Sequence, residues 1–368
     1  MENKIENFQC SGCGAKLQDL QKNQAGYLNQ QTLEKLLDEQ RPLLCQRCFR
    51  LLHYKEVTPL EIGASDFATI LKQIPAGSLI IAVTDIFDLS DEFFALLKQF
   101  PASNQFVIVI NKIEDLPRDY KIAAVQDWVR NHAIREKISL RYIVPVSAKT
   151  KYNIDILSQI LNQELEDREL YFVGNANVGK SSLINALIKS QAGKFIEPAI
   201  SSLPGTTLNF LTFKNGSKTW YDTPGLLLTN QAPSFLSLSD WQILLPQKRI
   251  RPLIFQIQAG QSIFIGGLGW LDYKKGPKIS LVFYFNSQVV IHRRKTSENE
   301  DFYVNHVGDL LFPPQKLERP SFRTNTFQAN YKYDLVFPAM GWVTVSQKAK
   351  INLTLLEPLK VSLRKAIV

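Results

Sequence analysis

The chain of 368 residues is 45% hydrophobic and 21% charged, which excludes a disordered or collagen-like polymer and leaves room for two or three domains with real cores. Its longest apolar runs, 78–83 and 106–110, fall far short of the ~20 residues needed to span a bilayer. Residues 1–10 (MENKIENFQC) carry charges and no apolar stretch of the kind a secretory leader needs, so a cytoplasmic protein without a membrane partner is expected.

Four cysteines come first along the chain, in two Cys-x-x-Cys pairs: Cys10 with Cys13, and Cys45 with Cys48. Zinc takes four soft ligands in a tetrahedron, and each such turn offers two converging thiolates. Structural disulfides are disfavoured in a cytosolic chain, and a single redox pair would not call for a second one. A structural zinc site on Cys10, Cys13, Cys45 and Cys48 is therefore expected. A helix across residues 32–39 would lie between the knuckles, and His53 reads as a solvated or packed polar residue.

Two apolar strands follow, each ending in polar residues. The first, 106–110 (FVIVI), runs into Asn111-Lys112-Ile113-Glu114-Asp115, and the second, 141–146 (RYIVPV), into Ser147-Ala148-Lys149. In guanine-nucleotide proteins an N-K-x-D turn reads the base through its Asn, Lys and carboxylate, and S-A-K adds a backbone N–H for guanine O6. Glu114 stands where the Asp belongs; it keeps the charge and adds a methylene, with Asp115 one step later. Both segments close an apolar strand at its C-terminal end, where open parallel sheets bind ligands.

A helix at 153–165 then leads to the strand 170–173 (LYFV) and the loop Gly174-Asn175-Ala-Asn177-Val178-Gly179-Lys180-Ser181-Ser182, which fits G-x4-G-K-[ST]. Glycines let backbone N–H groups close on phosphate oxygens, Lys180 supplies a cation to the β and γ phosphates, and the Ser181 hydroxyl can ligate Mg2+. The helical segment 182–190 places this loop at a helix N-terminus, which favours anions. Downstream, Pro204-Gly-Thr206-Thr207 offers a hydroxyl to Mg2+ and the γ-phosphate, with Thr207 favoured. Asp222-Thr-Pro-Gly225 ends a strand at 219–221, Asp222 serving Mg2+ and the Gly225 N–H the γ-phosphate.

Residues 231–368 hold 18 Lys and Arg against 9 Asp and Glu, so the whole net charge of +9 sits there, with 18 of the 39 aromatic residues. Alternating, β-branched segments at 278–285, 288–293 and 342–350 predict a β-rich module. Lys274, Lys275 and Lys278 around one turn, and His292, Arg293, Arg294 and Lys295 at a strand end, are candidate RNA contacts.

The set resembles the YqeH family of circularly permuted ribosome-biogenesis GTPases, in which the base-reading motifs precede the phosphate loop and switches. The resemblance implies an α/β fold: a permuted P-loop GTPase domain (61–229) between an N-terminal zinc finger (1–60) and a basic C-terminal β-rich domain (230–368). It further implies GTP hydrolysis with Mg2+ and Zn2+, and action on the small ribosomal subunit and its rRNA. Asn177 matches the position of a K+ ligand in potassium-activated GTPases. Leu226 stands where many GTPases have a water-orienting glutamine, which implies slow, K+-stimulated turnover. A monomer is expected. Two rivals remain open at this point: a zinc-containing RNA-binding scaffold with a vestigial nucleotide pocket, and an ATP-using enzyme.

Overall fold

Unbroken apolar runs such as 79–83 (LIIAV) and 106–110 (FVIVI) belong inside a parallel sheet covered on both faces. The computed structural model describes residues 5, 8–11, 15–20, 22, 26–54, 61–62, 70–164, 169–190, 196–202, 209–215, 218–226, 236–315 and 320–367. The chain divides into two units. One comprises Met1–Asp85, Leu96–Lys112 and Arg130–Leu227, the other Ile86–Ala95, Ile113–Val129 and Leu228–Val368. Among the described residues the helices with both ends given are, in chain order, α1 (Gln30–Asp38), α2 (Gln46–Tyr54), α3 (Asp91–Leu97), α4 (Ile122–Arg135), α5 (Ile154–Glu164), α6 (Lys180–Ser190), α7 (Leu238–Leu244) and α8 (Asn299–His306). None among the described residues is long and apolar enough to cross a membrane.

The first unit is built on a seven-stranded sheet. Its strands are β2 (Leu79–Asp85), β3 (Gln105–Asn111), β4 (Leu140–Pro145), β5 (Leu170–Val173), β6 (Ile196–Ser202), β7 (Asn209–Asn215) and β8 (Lys218–Asp222); a further short strand, β1, is Glu61–Ile62. The spatial order is β4-β3-β2-β5-β8-β7-β6. From β4 to β8 all neighbours are parallel, and β7 and β6 follow antiparallel. Every residue of β2 and β5 is buried. Leu79, Ile81 and Val83, with Val107, Val109 and Phe172, present one face to Ile154, Leu157 and Leu161 of α5 and Leu183, Ile184 and Leu187 of α6. The alternation is the pleat's period of two meeting the helical period of 3.6. Parallel pairing also brings the C-terminal ends of β2, β3, β4, β5 and β8 to one edge of the sheet.

The helix expected at 32–39 is α1, capped by the Asn29 side chain, which accepts from the Gln31 N–H at 2.8 Å. Leu17, Leu28 and Leu33 make a small core with Cys10, Cys45 and Cys48.

The second unit carries two antiparallel five-stranded sheets. β10 (Leu253–Ile257), β13 (Ile279–Tyr284), β16 (Tyr333–Phe337), β17 (Gly341–Val345) and β19 (Ser362–Lys365) form one, in the order β10-β13-β17-β16-β19. β11 (Gln261–Ile265), β12 (Gly269–Tyr273), β14 (Ile291–Lys295), β15 (Phe322–Ala329) and β18 (Ala349–Leu356) form the other, in the order β14-β11-β12-β18-β15. One apolar core, including Ile263, Leu271, Leu281, Phe283, Leu335 and Leu353, is shared between them. Two boundaries differ from the sequence reading. The segment 288–293 begins as a turn, because the Asn286 carboxamide accepts from the Gln288 N–H and its carbonyl from the Val289 N–H; the strand starts at Ile291. The segment 342–350 is two strands in different sheets, since the Ser346 N–H and hydroxyl both bond the Ser280 carbonyl and Gln347 Nε2 bonds that of Lys278, which ends β17 before β18 begins.

Inside this unit Arg364 of β19 is fully buried. Its Nε lies 2.9 Å from Asp334 Oδ2, and its Nη1 donates to the carbonyls of Ile86 and Leu89 at 2.9 and 2.7 Å. Trp342 lies under the guanidinium and donates its Nε1–H to the Tyr120 hydroxyl at 3.0 Å. Burial first of all, with the Asp334 charge, holds the Tyr120 hydroxyl far above the usual phenol range. Removing one partner of such a pair leaves the other charged and dry, which costs about 3–5 kcal/mol. Arg364→Ala is expected to lower the unfolding free energy of this unit by that amount in urea titrations followed by tryptophan fluorescence; a loss under about 1 kcal/mol would contradict the role given to the pair.

Candidate nucleotide and metal sites

The loop Gly174–Gly179 joins β5 to the first turn of α6. Gly174 packs so closely on β2 that a Cβ there would run into the Val83 carbonyl. Gly179 has φ +84°, a left-handed backbone that L side chains rarely adopt, and a Cβ on it would strike the Asn111 carboxamide. Asn177 also adopts positive φ, at 66°, with its side chain exposed.

Asn111 closes β3 and is buried. Its Nδ2 donates to the Val178 carbonyl at 3.0 Å, and its Oδ1 accepts the Ala148 N–H at 3.1 Å. One side chain therefore joins the ends of β3, β4 and β5. Lys112 has φ +57° and pairs its Nζ with Asp85 Oδ2 at 2.7 Å, at the end of β2. Ser147 is buried and uses its hydroxyl to accept the Thr150 N–H at 2.9 Å, fixing the turn that carries Ala148 and Lys149. Glu114 lies in a 3-10 turn, Ile113–Asp115, assigned to the second unit; its Oε2 is buried without a hydrogen-bond partner among the described residues.

On the other side of β5, Lys180 and Asp222 meet as a buried ion pair, and Lys180 also donates to the Thr223 carbonyl. Burial drives the Lys180 ammonium below its ordinary range; Asp222 pulls the other way, and the charge of Arg47 adds to the lowering. The Thr223 hydroxyl donates to the Phe172 carbonyl at 2.8 Å, which docks the start of Asp222–Gly225 on β5. Gly225 and Leu226 form a short strand, β9, pairing in parallel with β1 through Glu61↔Gly225 and Ile62↔Leu226. Ser181 is buried beside Lys180, whereas Ser182 is exposed. Thr206, Thr207 and Cys13 lie outside the described residues.

Two participants escaped the sequence reading. Asp85 carries no motif; only its place at the end of an apolar strand signals it. Arg47 sits between Cys45 and Cys48, where the cysteine spacing draws the eye, yet its Nη2 lies 3.9 Å from Asp222 Oδ2.

The thiols of Cys10, Cys45 and Cys48 are buried and converge within 4.8 Å of one another, and the Cys45 N–H donates to Cys10 Sγ at 3.2 Å. That donor stabilises a thiolate, and three convergent thiolates suit Zn2+. When bound, the metal ties the first knuckle to the N-terminus of α2.

Residues 278–367 match the family described as YqeH-like, C-terminal, and residues 169–254 match the family described as 50S ribosome-binding GTPase. The Bacillus subtilis (strain 168) protein YqeH is 32% identical over 352 residues, 94% of this chain and 95% of the relative. The chain belongs to the YqeH family. It carries a GTPase domain, with the YqeH-like β-rich region after it. The Arabidopsis thaliana NO-associated protein 1, chloroplastic/mitochondrial, is 29% identical across 83% of this chain and 62% of its own length. A crystal structure of YjeQ from Thermotoga maritima is 25% identical over 40% of this chain and 48% of that one, with a TM-score of 0.25.

A side chain at Gly179 must carry both a left-handed backbone, which costs roughly 1–2 kcal/mol, and the clash with Asn111. Gly179→Ala is expected to weaken nucleotide binding by about tenfold or more in fluorescence titration. Affinity equal to that of the unaltered protein would contradict the close packing of loop and amide.

Proposed function

We propose that this member of the YqeH family hydrolyses GTP to GDP and phosphate as a nucleotide-controlled factor in assembly of the small ribosomal subunit, in the cytoplasm. The observation that carries the reading is the juxtaposition of Lys180, Asp222 and the Asn111-braced loop at one sheet edge. Backbone N–H groups of residues 174–182 bind the phosphates. Lys180 turns from Asp222 to the β and γ phosphates, and the positive end of α6 adds to the charge it supplies. Ser181, Thr207 and Asp222 would hold Mg2+, which would supply positive charge against that of the triphosphate. The Gly225 N–H meets the γ-phosphate.

Base selection falls to Asn111, Lys112, Glu114 and the Ser147-Ala148-Lys149 turn. The Oε2 of Glu114, buried without a hydrogen-bond partner among the described residues, supports its role as the acceptor for guanine. Asn177, exposed on a left-handed backbone, is the residue offered to K+ in place of a glutamine at Leu226.

Ribosome binding rests on the family and on charge. Lys274, Lys275 and Lys278 are exposed in the turn between β12 and β13. On the edge strand β14, Arg293 and Lys295 are exposed, while His292 and Arg294 lie against the Phe302 ring. Such a strip suits rRNA phosphates and predicts steeply salt-dependent binding. We further propose that GTP sets how the basic domain and zinc module are presented to rRNA and that hydrolysis resets it.

Two measurements test this. GTP turnover is expected to rise on exchanging Na+ for K+, and Asn177→Ala is expected to remove the difference. Co-sedimentation with isolated ribosomal subunits is expected to favour the small one, to fall with salt, and to differ between GTP analogue and GDP. Nucleotide-indifferent binding, or binding to the large subunit alone, would contradict the proposal.

A further inference from the structure

The second Cys-x-x-Cys turn reads Cys45-Gln46-Arg47-Cys48 and opens α2. Cys45 and Cys48 are three residues apart and share a helix face, and Arg47 leaves that face in another direction. Its side chain is only 9% exposed, although an arginine is almost never buried without a partner. Among the described residues the carboxylate near it is Asp222, and the separation of 3.9 Å is too long for a hydrogen bond. Asp222 already serves Lys180. Arg47 Nε is buried with no hydrogen-bond partner among the described residues.

Among the described residues one carboxylate thus faces two buried basic side chains. Among the described residues, the basic groups of this pocket outnumber its carboxylates by one. A dry, uncompensated cation is costly unless an anion completes the site, and the planar guanidinium fork matches a phosphate through two parallel N–H bonds. Beside Arg47, among the described residues, lie the lysine of the phosphate loop and the acid that closes β8. On the GTPase reading, a phosphate-loop lysine and the acid after it mark the end of the site that meets the terminal phosphate. No glutamine stands at 226 to help the attacking water.

We propose that Arg47 is a catalytic residue, an arginine supplied by the chain itself that bonds the terminal phosphate of the bound triphosphate. This rests on the GTPase reading above. In the reaction a water oxygen bonds to the γ-phosphorus, the bond from that phosphorus to the β,γ-bridging oxygen breaks, and the water's proton leaves with the phosphate. Arg47 forms no covalent bond; it neutralises charge on the transferring group. Because Cys45 and Cys48 flank it, whatever orders the thiolate cluster also sets the position of the arginine.

The test uses the full-length, zinc-replete protein with Arg47→Lys and Arg47→Gln. Three affinities are measured by fluorescence: GDP, a β,γ-imido GTP analogue, and GDP with aluminium fluoride. Zinc content is measured alongside. The expected result is GDP affinity within about twofold of the unaltered protein, analogue affinity down about tenfold, and the aluminium fluoride complex weakened further. Turnover should fall about 10³-fold, and lysine should restore little, because it keeps the charge and loses the fork. A structural role would move all three affinities together. Equal loss of all three with zinc retained, or no change in any, overturns the inference. Should Arg47→Gln lose zinc, Arg47→Lys decides alone by the same criteria. Failure of the unaltered protein to bind any nucleotide would instead overturn the GTPase reading, and this inference with it.

Discussion

The candidate nucleotide site depends on one buried carboxamide. Asn111 donates to the loop after β5 and accepts from the turn after β4, while its own backbone ends β3. Three loops separated by up to 68 residues are held together by that single side chain. The arrangement works only because β2 to β5 and β8 run parallel, so that their C-terminal ends share an edge. Chain order is irrelevant to this geometry: β5 enters the sheet after β3 and β4 and still lies beside β2, which is how a permuted order of motifs can serve an ordinary site.

The β-rich unit is more than an appended binding module. It includes Ile86–Ala95 and Ile113–Val129, the segments that directly follow Asp85 and Lys112 in the chain. Arg364 bonds the carbonyls of Ile86 and Leu89, Asp88 Oδ1 accepts the Ala339 N–H at 3.2 Å, and the Asp115 carbonyl accepts the Ile250 N–H at 3.0 Å. Asp85 and Lys112 themselves form an ion pair in the other unit. In the chain, Asp85 and Lys112 are followed directly by segments that belong to the second unit and are held by its β-sheets.

Much of the first unit is legible in the sequence because its signals are local. The strand before the phosphate loop is Leu170–Val173 in both readings, and the runs before Asn111 and Ser147 are β3 and β4. Spacing within each motif fixes chemistry without long-range information. What the sequence hides is pairing at a distance. Arg47 reaches Asp222 across 175 positions, and Arg364 reaches Ile86 across 278. Charged residues read as surface by default, so nothing in the local pattern marks either arginine as buried. The break after Val345 is hidden for a related reason: no glycine or proline marks it, and it arises where Ser346 bonds the Ser280 carbonyl of β13 and Gln347 that of Lys278 just before it. The cysteine cluster was legible as a metal site from spacing alone, and three of its thiols do converge.

The central claim is that this sheet edge recognises a guanine nucleotide. The direct measurement is competition: GTP and ATP are titrated against a fluorescent GDP on the zinc-replete protein, with Lys180→Ala alongside. The account predicts displacement by GTP at concentrations at least about a hundredfold below those of ATP, the discrimination expected of a site that hydrogen-bonds its base, and no measurable nucleotide binding by Lys180→Ala. Equal displacement by the two nucleotides, or full binding by Lys180→Ala, would contradict it.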